Sequence, residues 1–284
     1  MKMIALPDGE RVPVLGQGTW RMGENKRLHK DEVAALRLGI DLGMTLIDTA
    51  EMYGEGGAER VVGEALAAAL RTGAVVRDEL FVVSKIYPHN AGARAAAAAC
   101  ERSLERLGLD HLDCYLLHWR GDVPLEETVE AFEHLRDRGR IRAWGVSNFD
   151  VADMDELFCV AGGDRCATNQ VYYSLSGRGP GFDLVPWLQQ RGVVTMAYSP
   201  IDQGALAANT ALAAIAERRG LSAAQLALAW LVAQPGVLAI PKATGEAHLR
   251  ENLAARDLVL DDAERAALDR AFPPPRRKTS LRMI

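Results

Sequence analysis

The feature that most constrains the fold is an alternation of short apolar runs with longer amphipathic runs, repeated eight times along the 284 residues. Short, continuous apolar runs are typical of parallel strands buried on both faces, and the runs between them place apolar residues at helical spacing. Strand followed by helix, eight times over, predicts an α/β fold, the (β/α)8 TIM barrel. The predicted strands cover residues 14–18, 45–48, 80–85, 113–117, 143–147, 168–171, 194–198 and 237–241.

The predicted helices exceed this plan by a second helix after Leu221 and by a final helix followed by a tail. Apolar residues on both sides of a turn signal at 7–10 predict an N-terminal β-hairpin within residues 1–13. No linker rich in Pro, Gly or Ser divides the chain, so we expect a single domain, 1–284, ending in a tail over 273–284. The predicted helices cover residues 31–42, 58–70, 91–107, 125–138, 151–158, 184–191, 212–219, 223–233, 248–253 and 262–271.

A doubly wound sheet is the structural alternative, and the first strand argues against it. A dinucleotide-binding sheet of that kind carries the pattern G-x-G-x-x-G after its first strand. Here the segment 16–21 reads Gly-Gln-Gly-Thr-Trp-Arg, so the third glycine is missing. The barrel is therefore the favoured architecture.

Composition excludes several classes of partner. The net charge of −5 has the wrong sign for a protein that neutralises nucleic-acid phosphates. The longest apolar stretch, 226–233, is too short for a membrane span, and the start of the chain does not resemble a signal peptide. We therefore expect a soluble, cytoplasmic protein with no nucleic-acid or membrane partner. No cluster has metal-ligand spacing, and we expect reduced thiols at Cys100, Cys114, Cys159 and Cys166.

Positive charge is concentrated at the end of the chain. Residues 273–284 contain four cations and no acid, namely Arg276, Arg277, Lys278 and Arg282. One interpretation is a solvated tail. The other is a local positive field that attracts substrates bearing a carboxylate or a phosphate.

Four chemically active side chains stand at the ends of three successive predicted strands. Asp48 ends the second strand and Tyr53 follows it, Lys85 ends the third, and His118 follows the fourth. The carboxyl ends of barrel strands meet at one mouth, where catalytic residues of such folds lie. Each side chain alone is more often a cap, a packing residue or a surface residue. Four at consecutive strand ends predict a catalytic group.

This set of residues suits proton donation to a carbonyl group. A tyrosine with a pKa near 10 is a weak acid at neutral pH, and we expect the Lys85 ammonium to lower the pKa of Tyr53 by favouring the phenolate. Asp48 would keep Lys85 charged by pairing with it. A neutral His118 would hydrogen-bond the carbonyl and orient it.

Beyond this chemistry, the sequence resembles the aldo-keto reductase family over nearly its whole length. The segment 48–54 reads Asp-Thr-Ala-Glu-Met-Tyr-Gly, and it resembles the family signature together with Ser84-Lys85 and the Leu-His-Trp of 117–119. The finer likeness is to short bacterial members of the methylglyoxal and diketogulonate reductase kind. The segments that resemble the family's later strands are 145–149, 169–170, 198–200 and 240–242.

The resemblance implies a role for each matching residue. Tyr53 is the general acid, Asp48 and Lys85 tune it, and His118 orients the carbonyl. The substrate pocket comprises Trp20, Tyr53, Tyr87, His118 and Trp119, and the tail 273–284 lies near the barrel mouth. The cofactor-binding residues are Gly18, Thr19, Trp20, Asp48, Ser147, Asn148, Gln170, Tyr198, Ser199, Pro200, Ile201, Gln203, Gly204, Ile240, Pro241, Lys242, Ala243, Thr244, His248, Glu251 and Asn252.

Within this set, Tyr198 stacks on the nicotinamide, while Ser147, Asn148 and Gln170 hold its carboxamide. Plainer interpretations stay open for three of these residues. Tyr198 follows an apolar strand and could be a core residue, and the pair Ser147-Asn148 could merely cap the helix that starts near Asp150.

Two positions depart from the family pattern at the adenosine 2′-phosphate. Ala243 stands where many relatives have a serine, and His248 stands where many have an arginine. Both changes remove phosphate donors, and Lys242 remains as a point charge. We therefore expect NADPH as the preferred cofactor, with NADH also used.

The resulting prediction is an NAD(P)H-dependent reductase of small aldehydes and ketones, such as 2-oxoaldehydes, keto sugars or keto acids, acting as a monomer. After His118 and Trp119, only residues 120–123 precede the helix start at Pro124, which indicates a low, open pocket wall. A redox-sensing, cofactor-binding subunit with negligible turnover is the alternative. A third possibility is an isomerase or aldolase that uses Lys85 as a Schiff base.

Overall fold

An antiparallel hairpin lies at the amino-terminal end of a barrel. The computed structural model describes residues 2–284, so residue 1 of the predicted hairpin segment lies outside the described residues. The hairpin pairs β1 (Met3–Ala5) with β2 (Arg11–Pro13). Leu6, which follows β1, and Val12 of β2 are buried in one cluster with Leu46 and Phe81, which begin two strands of the barrel. The hairpin therefore closes the end of the barrel opposite to the carboxyl ends of its strands.

Eight parallel strands form one sheet in which each strand pairs with the next along the chain. The sheet closes because the Gly16 N–H donates to the Ala239 carbonyl over 2.9 Å and the Ala239 N–H donates to the Val14 carbonyl over 2.9 Å. This closure confirms the predicted (β/α)8 barrel. The strands are β3 (Gln17–Gly18), β4 (Leu46–Asp48), β5 (Phe81–Ile86), β6 (Leu112–Leu117), β7 (Ile141–Ser147), β8 (Thr168–Tyr172), β9 (Val194–Tyr198) and β10 (Val237–Ala239).

The predicted first strand, 14–18, serves two neighbours. Only its last two residues pair with β4, whereas Leu15 bridges to Ala239 of β10. Gly18 permits this close approach, since a Cβ there would lie 2.5 Å from the Ile240 carbonyl oxygen. The regular strand β3 is thus short, because the residues before it pair with β10 at the seam, the place where the first and last strands of the barrel meet.

Helices cover the outer face of the sheet, with α3 packing on β5, α4 on β7 and α8 on β10. Most of them differ from the predicted bounds by one or two residues at an end, and two differences have a clear cause. The predicted helix 91–107 begins at Ala93, because Pro88–Asn90 forms a separate 3-10 turn. The helices are α1 (His29–Asp41), α2 (Gly57–Arg71), α3 (Ala93–Leu107), α4 (Leu125–Asp137), α5 (Val151–Cys159), α6 (Leu184–Gln190), α7 (Thr210–Ala216), α8 (Ala223–Val232), α9 (Glu246–Ala255) and α10 (Asp262–Ala271).

The second difference is the predicted helix 212–219. It is divided into α7 and a 3-10 turn, Glu217–Arg219, that ends at Gly220 in a left-handed conformation (φ 64°). A left-handed residue ends a helix at low cost when it is glycine. Glu217, Arg218 and Arg219 are residues that favour helices, which explains why the sequence predicts one element.

Buried apolar side chains form two layers. Inward-facing residues such as Val83, Leu116 and Met196 fill the barrel. Outward-facing residues such as Val82 and Tyr115 pack beneath the helices. This alternation brings every second residue of a strand into the barrel, and at the carboxyl ends it places polar side chains there.

Membrane-spanning helices and metal-binding clusters are absent from residues 2–284. In that part of the chain, no helix combines the length and apolar character needed to cross a membrane. No group of three or more His, Cys, Asp or Glu side chains among these residues is arranged to hold a metal ion. The four cysteines are free thiols, of which Cys159 alone among the described residues is exposed.

Candidate active site

Lys85 lies at the centre of a hydrogen-bonded network at the carboxyl ends of the strands. Its side chain enters the barrel from β5 and is fully buried. The Nζ donates to Asp48 Oδ2 over 2.8 Å, to the Thr49 carbonyl over 2.8 Å and to Tyr53 Oη over 3.2 Å. All three protons of an ammonium therefore have acceptors, so a charged lysine is accommodated here.

Asp48 is the counter-ion of this lysine. Each of its carboxylate oxygens has one donor, because Oδ2 faces Lys85 and Oδ1 accepts from Gln170 Nε2 over 2.7 Å. Burial raises the pKa of Asp48, and the Lys85 charge and the Gln170 hydrogen bond oppose that rise. Burial likewise lowers the pKa of Lys85, and the Asp48 charge opposes that fall. Each charge therefore favours the ionised form of the other side chain.

Tyr53 is protonated at neutral pH. Burial raises the pKa of its phenol well above the usual value, and the negative charge of Asp48 raises it further. The expected net lowering of this pKa is therefore wrong, because desolvation of the buried phenolate dominates and the Asp48 charge adds to it. A protonated phenol beside an ammonium is nevertheless the form that a proton donor requires.

His118 is neutral in the same site. Burial lowers the pKa of its imidazole well below 6.5, and the Lys85 charge lowers it further. Its Nδ1 is buried without a hydrogen-bond partner among residues 2–284, while the ring lines the cavity described below. An unpaired lone pair is less costly to bury than an unpaired N–H, so Nδ1 is the acceptor and Nε2 carries the proton. His118 thus offers a donor to a carbonyl oxygen.

The network opens into a cavity of about 380 Å³. This volume is in the range of small-molecule sites. Four lining residues were not predicted from the sequence: Arg21, Met52, Met283 and Ile284. Arg21 and Met52 are next in sequence to the predicted site residues Trp20 and Tyr53, and this adjacency is the signal from which they could have been predicted. The predicted residues that line the cavity are Gly18, Thr19, Trp20, Asp48, Tyr53, His118, Trp119, Ser147, Asn148, Gln170, Tyr198, Ser199, Pro200, Ile201, Gln203, Gly204, Ile240 and Lys242.

A cluster of amide and hydroxyl groups forms one wall of this cavity. The Ser147 hydroxyl donates to the Gln170 carbonyl over 2.9 Å, and Tyr198 Oη donates to Asn148 Oδ1 over 2.9 Å. The cap of α5 is Asp150, whose side chain accepts from two backbone N–H groups. Ser147 and Asn148 are therefore not the helix cap. Tyr198 lines the cavity and is only half-buried, so it is not a core residue either.

Comparison with known proteins agrees with this geometry. The aldo/keto reductase family model matches residues 14–272. The chain belongs to the aldo/keto reductase family. It is 52% identical to "Methylglyoxal reductase YeaE" of Escherichia coli over 100% of this chain and 99% of that protein. It is 34% identical to "Glyoxal reductase" of Bacillus subtilis, over 94% of this chain and 91% of that protein.

A solved structure extends the likeness to three dimensions. The aldo/keto reductase of Klebsiella pneumoniae, crystallised with NADP and acetate, superposes with a TM-score of 0.94 at 51% identity, covering 100% of this chain and 99% of that one. The family membership and the barrel predicted from the sequence are therefore confirmed. This aldo/keto reductase is an oxidoreductase.

Tyr87 does not line the cavity of this aldo/keto reductase. Its hydroxyl donates to Glu55 over 3.2 Å, and its ring stands edge-on to Trp119 at 6.0 Å between centroids. The structure therefore places Tyr87 behind a pocket residue, and the prediction that it belongs to the substrate pocket is not supported by its position.

The predicted adenosine-binding residues extend beyond the main cavity. Lys242 lines both this cavity and an adjoining groove between α1 and α9, where Thr244 lies. His248 is exposed on the first turn of α9. The other four are Pro241, which accepts from the Gly18 N–H, the half-buried Ala243 and Glu251, and the buried Asn252.

The tail lies against the barrel mouth of this aldo/keto reductase. Lys278 Nζ lies 3.1 Å from an oxygen of Asp150, and Arg282 lies 3.1 Å from an oxygen of Asp202 in the loop after β9. The Arg282 guanidinium also lies over the Tyr172 ring, at 4.4 Å from its centroid. Two of the four tail cations thus form ion pairs with acidic residues near the barrel mouth.

Proposed function

We propose that this protein catalyses the NADPH-dependent reduction of small aldehydes and ketones, with 2-oxoaldehydes such as methylglyoxal as the favoured class. The observation that carries this conclusion is the buried Lys85 ammonium, which is hydrogen-bonded to both Asp48 and the protonated Tyr53 beside a neutral His118. A group that only binds a ligand gains nothing from such a costly buried charge. The E. coli relative named as a methylglyoxal reductase supports the substrate class.

The donor set of the cavity fits a nicotinamide cofactor. The Ser147 hydroxyl and the Asn148 and Gln170 amides present donors and acceptors that match a carboxamide, and Tyr198 offers an aromatic face. Lys242 supplies a cation at the other end, suited to a phosphate. The NADP in the Klebsiella relative bears out the cofactor expected from the sequence. When bound, the nicotinamide supplies a hydride for the carbonyl carbon.

The protein residues handle the proton. Nε2 of His118 donates a hydrogen bond to the carbonyl oxygen and so orients it beside Tyr53. Tyr53 Oη transfers its proton to that oxygen as negative charge develops there. Lys85 Nζ, at 3.2 Å, stabilises the phenolate that remains, and Asp48 keeps Lys85 charged. Water reprotonates the phenolate in the next cycle.

The walls of the cavity favour a small substrate. Trp20 and Trp119 flank the catalytic residues, and Met52, Met283 and Ile284 complete an apolar rim. An apolar rim stabilises a short carbon chain through burial, at about 25 cal/mol per Å² of apolar area. A compact dicarbonyl fits such a site and is intrinsically reactive, so it needs few further contacts.

We further propose that the chain acts as a cytoplasmic monomer built from one domain, 1–284. The seam between Val14 and Ala239 joins both ends of the chain into one sheet, which supports a single folding unit. Size-exclusion chromatography with light scattering tests the monomer, and a dimer mass would refute it.

The reductase activity is tested by steady-state kinetics with methylglyoxal and a panel of aldehydes, ketones and keto acids, each with NADPH and with NADH. Tyr53→Phe should lower kcat by about 10²–10⁴ while NADPH binding changes little, because only the proton source is lost. Tyr173→Phe removes a hydroxyl outside the cavity and is the matched control. A Tyr53→Phe enzyme that keeps more than a tenth of the wild-type rate would exclude Tyr53 as the acid. Wild-type turnover that is negligible on every carbonyl would favour a redox-sensing subunit.

A further inference from the structure

A side-chain contact crosses the barrel and reaches the catalytic carboxylate. Gln170 belongs to β8 and Asp48 to β4, two strands that are not neighbours in the sheet. Gln170 is 1% exposed, and its Nε2 lies 2.7 Å from Asp48 Oδ1 and 2.8 Å from Met196 Sδ. A thioether is a weak acceptor, so the carboxylate is the principal partner of this amide. Apart from Lys85, Gln170 is the side-chain donor to Asp48 among residues 2–284.

We propose that Gln170 is a positioning residue that holds Asp48 ionised and directed at Lys85, and so preserves the ion pair that serves Tyr53. This role deepens the reductase function proposed above and rests on it. It differs from the carboxamide contact implied by the family resemblance, because it concerns the carboxylate and not the cofactor.

The two ends of the Gln170 amide face different groups. Nε2 donates to Asp48, which leaves Oε1 as an acceptor for the cavity that Gln170 lines. A carboxamide N–H at Oε1 would therefore fix the rotation of the same amide that donates to Asp48. Binding of the cofactor carboxamide and the orientation of the Asp48–Lys85 pair that serves Tyr53 then depend on one side chain.

Charged and titratable groups around this pair come from several elements. Lys85 lies on β5 and Tyr53 in the loop after β4. His118 follows β6, and its pKa responds to the Lys85 charge. Cys114 of β6 and Glu59 of α2 also act on Lys85, but Glu59 is held by Arg106 over 2.5 Å. Burial is the main cause of the raised pKa of Asp48, and the side chains that oppose this rise are Lys85 and Gln170.

The test compares Gln170→Met with the wild-type protein. Methionine has nearly the length of glutamine and no N–H donor, so the buried Asp48 Oδ1 loses its side-chain partner. The apparent pKa of the acid limb of the kcat–pH profile with NADPH should increase by about one to two pH units. This is the shift that corresponds to the loss of a hydrogen bond to a charged group. Ser147→Ala is the control, because it removes a proposed carboxamide contact and a hydrogen bond to the Gln170 backbone carbonyl, but no contact to the Gln170 amide or to Asp48. It should weaken NADPH binding and leave the acid limb unchanged.

A second measurement needs neither cofactor nor turnover. The stability of cofactor-free Gln170→Met, measured by urea unfolding between pH 4 and 8, should be lowest relative to wild type at high pH. The deficit should shrink as pH falls, because a protonated Asp48 no longer requires the donor. If Gln170→Met does not fold, Gln170→Asn keeps an amide that is too short to reach Asp48 and should show the same shifts.

The proposal is overturned if Gln170→Met changes NADPH affinity alone, with both its kcat profile and its pH-dependent stability parallel to wild type. If the wild-type protein reduces no carbonyl, the reductase function fails, but the unfolding series still decides whether Gln170 supports Asp48. The two failures are therefore distinguishable.

Discussion

Replacing Lys85 with methionine tests the buried ion pair most directly, because the chain length is similar and only the charge and its hydrogen bonds are lost. In the wild-type protein Lys85 Nζ lies 2.8 Å from Asp48 Oδ2, and the two side chains are 0% and 3% exposed. The variant leaves Asp48 with Gln170 as its side-chain donor. Removing one partner of a buried pair typically costs about 3–5 kcal/mol of folding free energy.

Proton uptake by Asp48 limits this cost. A carboxyl with an unfolded-state pKa of about 3.9 requires about 1.4 kcal/mol per pH unit to stay protonated, hence about 4 kcal/mol at pH 7. Without Lys85 the folded-state pKa of Asp48 lies well above its unfolded value. The folded variant then binds an extra proton, and its deficit declines as pH falls toward 4. We expect Lys85→Met to lose about 3–4 kcal/mol relative to wild type at pH 7 and about 1–2 kcal/mol at pH 5.

Urea unfolding at pH 5, 6 and 7 measures this deficit. The double variant Asp48→Asn/Lys85→Met is the control, since it contains no buried charge at either position. It should be more stable than Lys85→Met at pH 7, and its deficit should not depend on pH. A single variant that loses less than about 1 kcal/mol at pH 7, or the same amount at all three pH values, would refute the reasoning.

Two further predictions concern the cofactor end and the tail. His248→Arg should tighten NADPH binding about fivefold and leave NADH binding unchanged, because an exposed ion pair is worth up to about 1 kcal/mol. Fluorescence titration with each cofactor measures the two affinities, and an equal gain for NADH would contradict a phosphate contact. Arg282→Gln frees the tail from Asp202 and should raise KM severalfold for neutral and anionic carbonyls alike; an effect confined to anionic substrates would instead restore the electrostatic role for the tail.

The catalytic set was predictable because parallel strands bring their carboxyl ends to one rim. Asp48 and Lys85 end two runs of apolar residues, and the register that pairs β4 with β5 then brings them together. Apolar runs also located every strand of the barrel to within a few residues, apart from the seam at 14–16. These signals are local in sequence, so they need no knowledge of the packed structure.

Contacts across the barrel were not predictable in this way. The Gln170 contact with Asp48 depends on the diameter of the closed sheet, which no local pattern encodes. The raised pKa of Tyr53 depends on how completely the phenol is buried. Lys278 pairs with Asp150, and Arg282 pairs with Asp202, and both acids are far away in the sequence. The composition of the tail therefore indicated its charge but not its partners.

The seam of the barrel has a consequence for synthesis of the chain. Gly16 and Ala239, which close the sheet, are separated by about 220 residues. At about 5–20 residues per second, the first strand waits about 11–45 s on the ribosome for the last. During that interval its outer edge presents unpaired N–H and C=O groups, a template for pairing with other nascent chains. Dependence on chaperones should therefore be greatest for chains that stall before Val237, and a circular permutant whose ends lie away from the seam should transfer this exposure to a different strand.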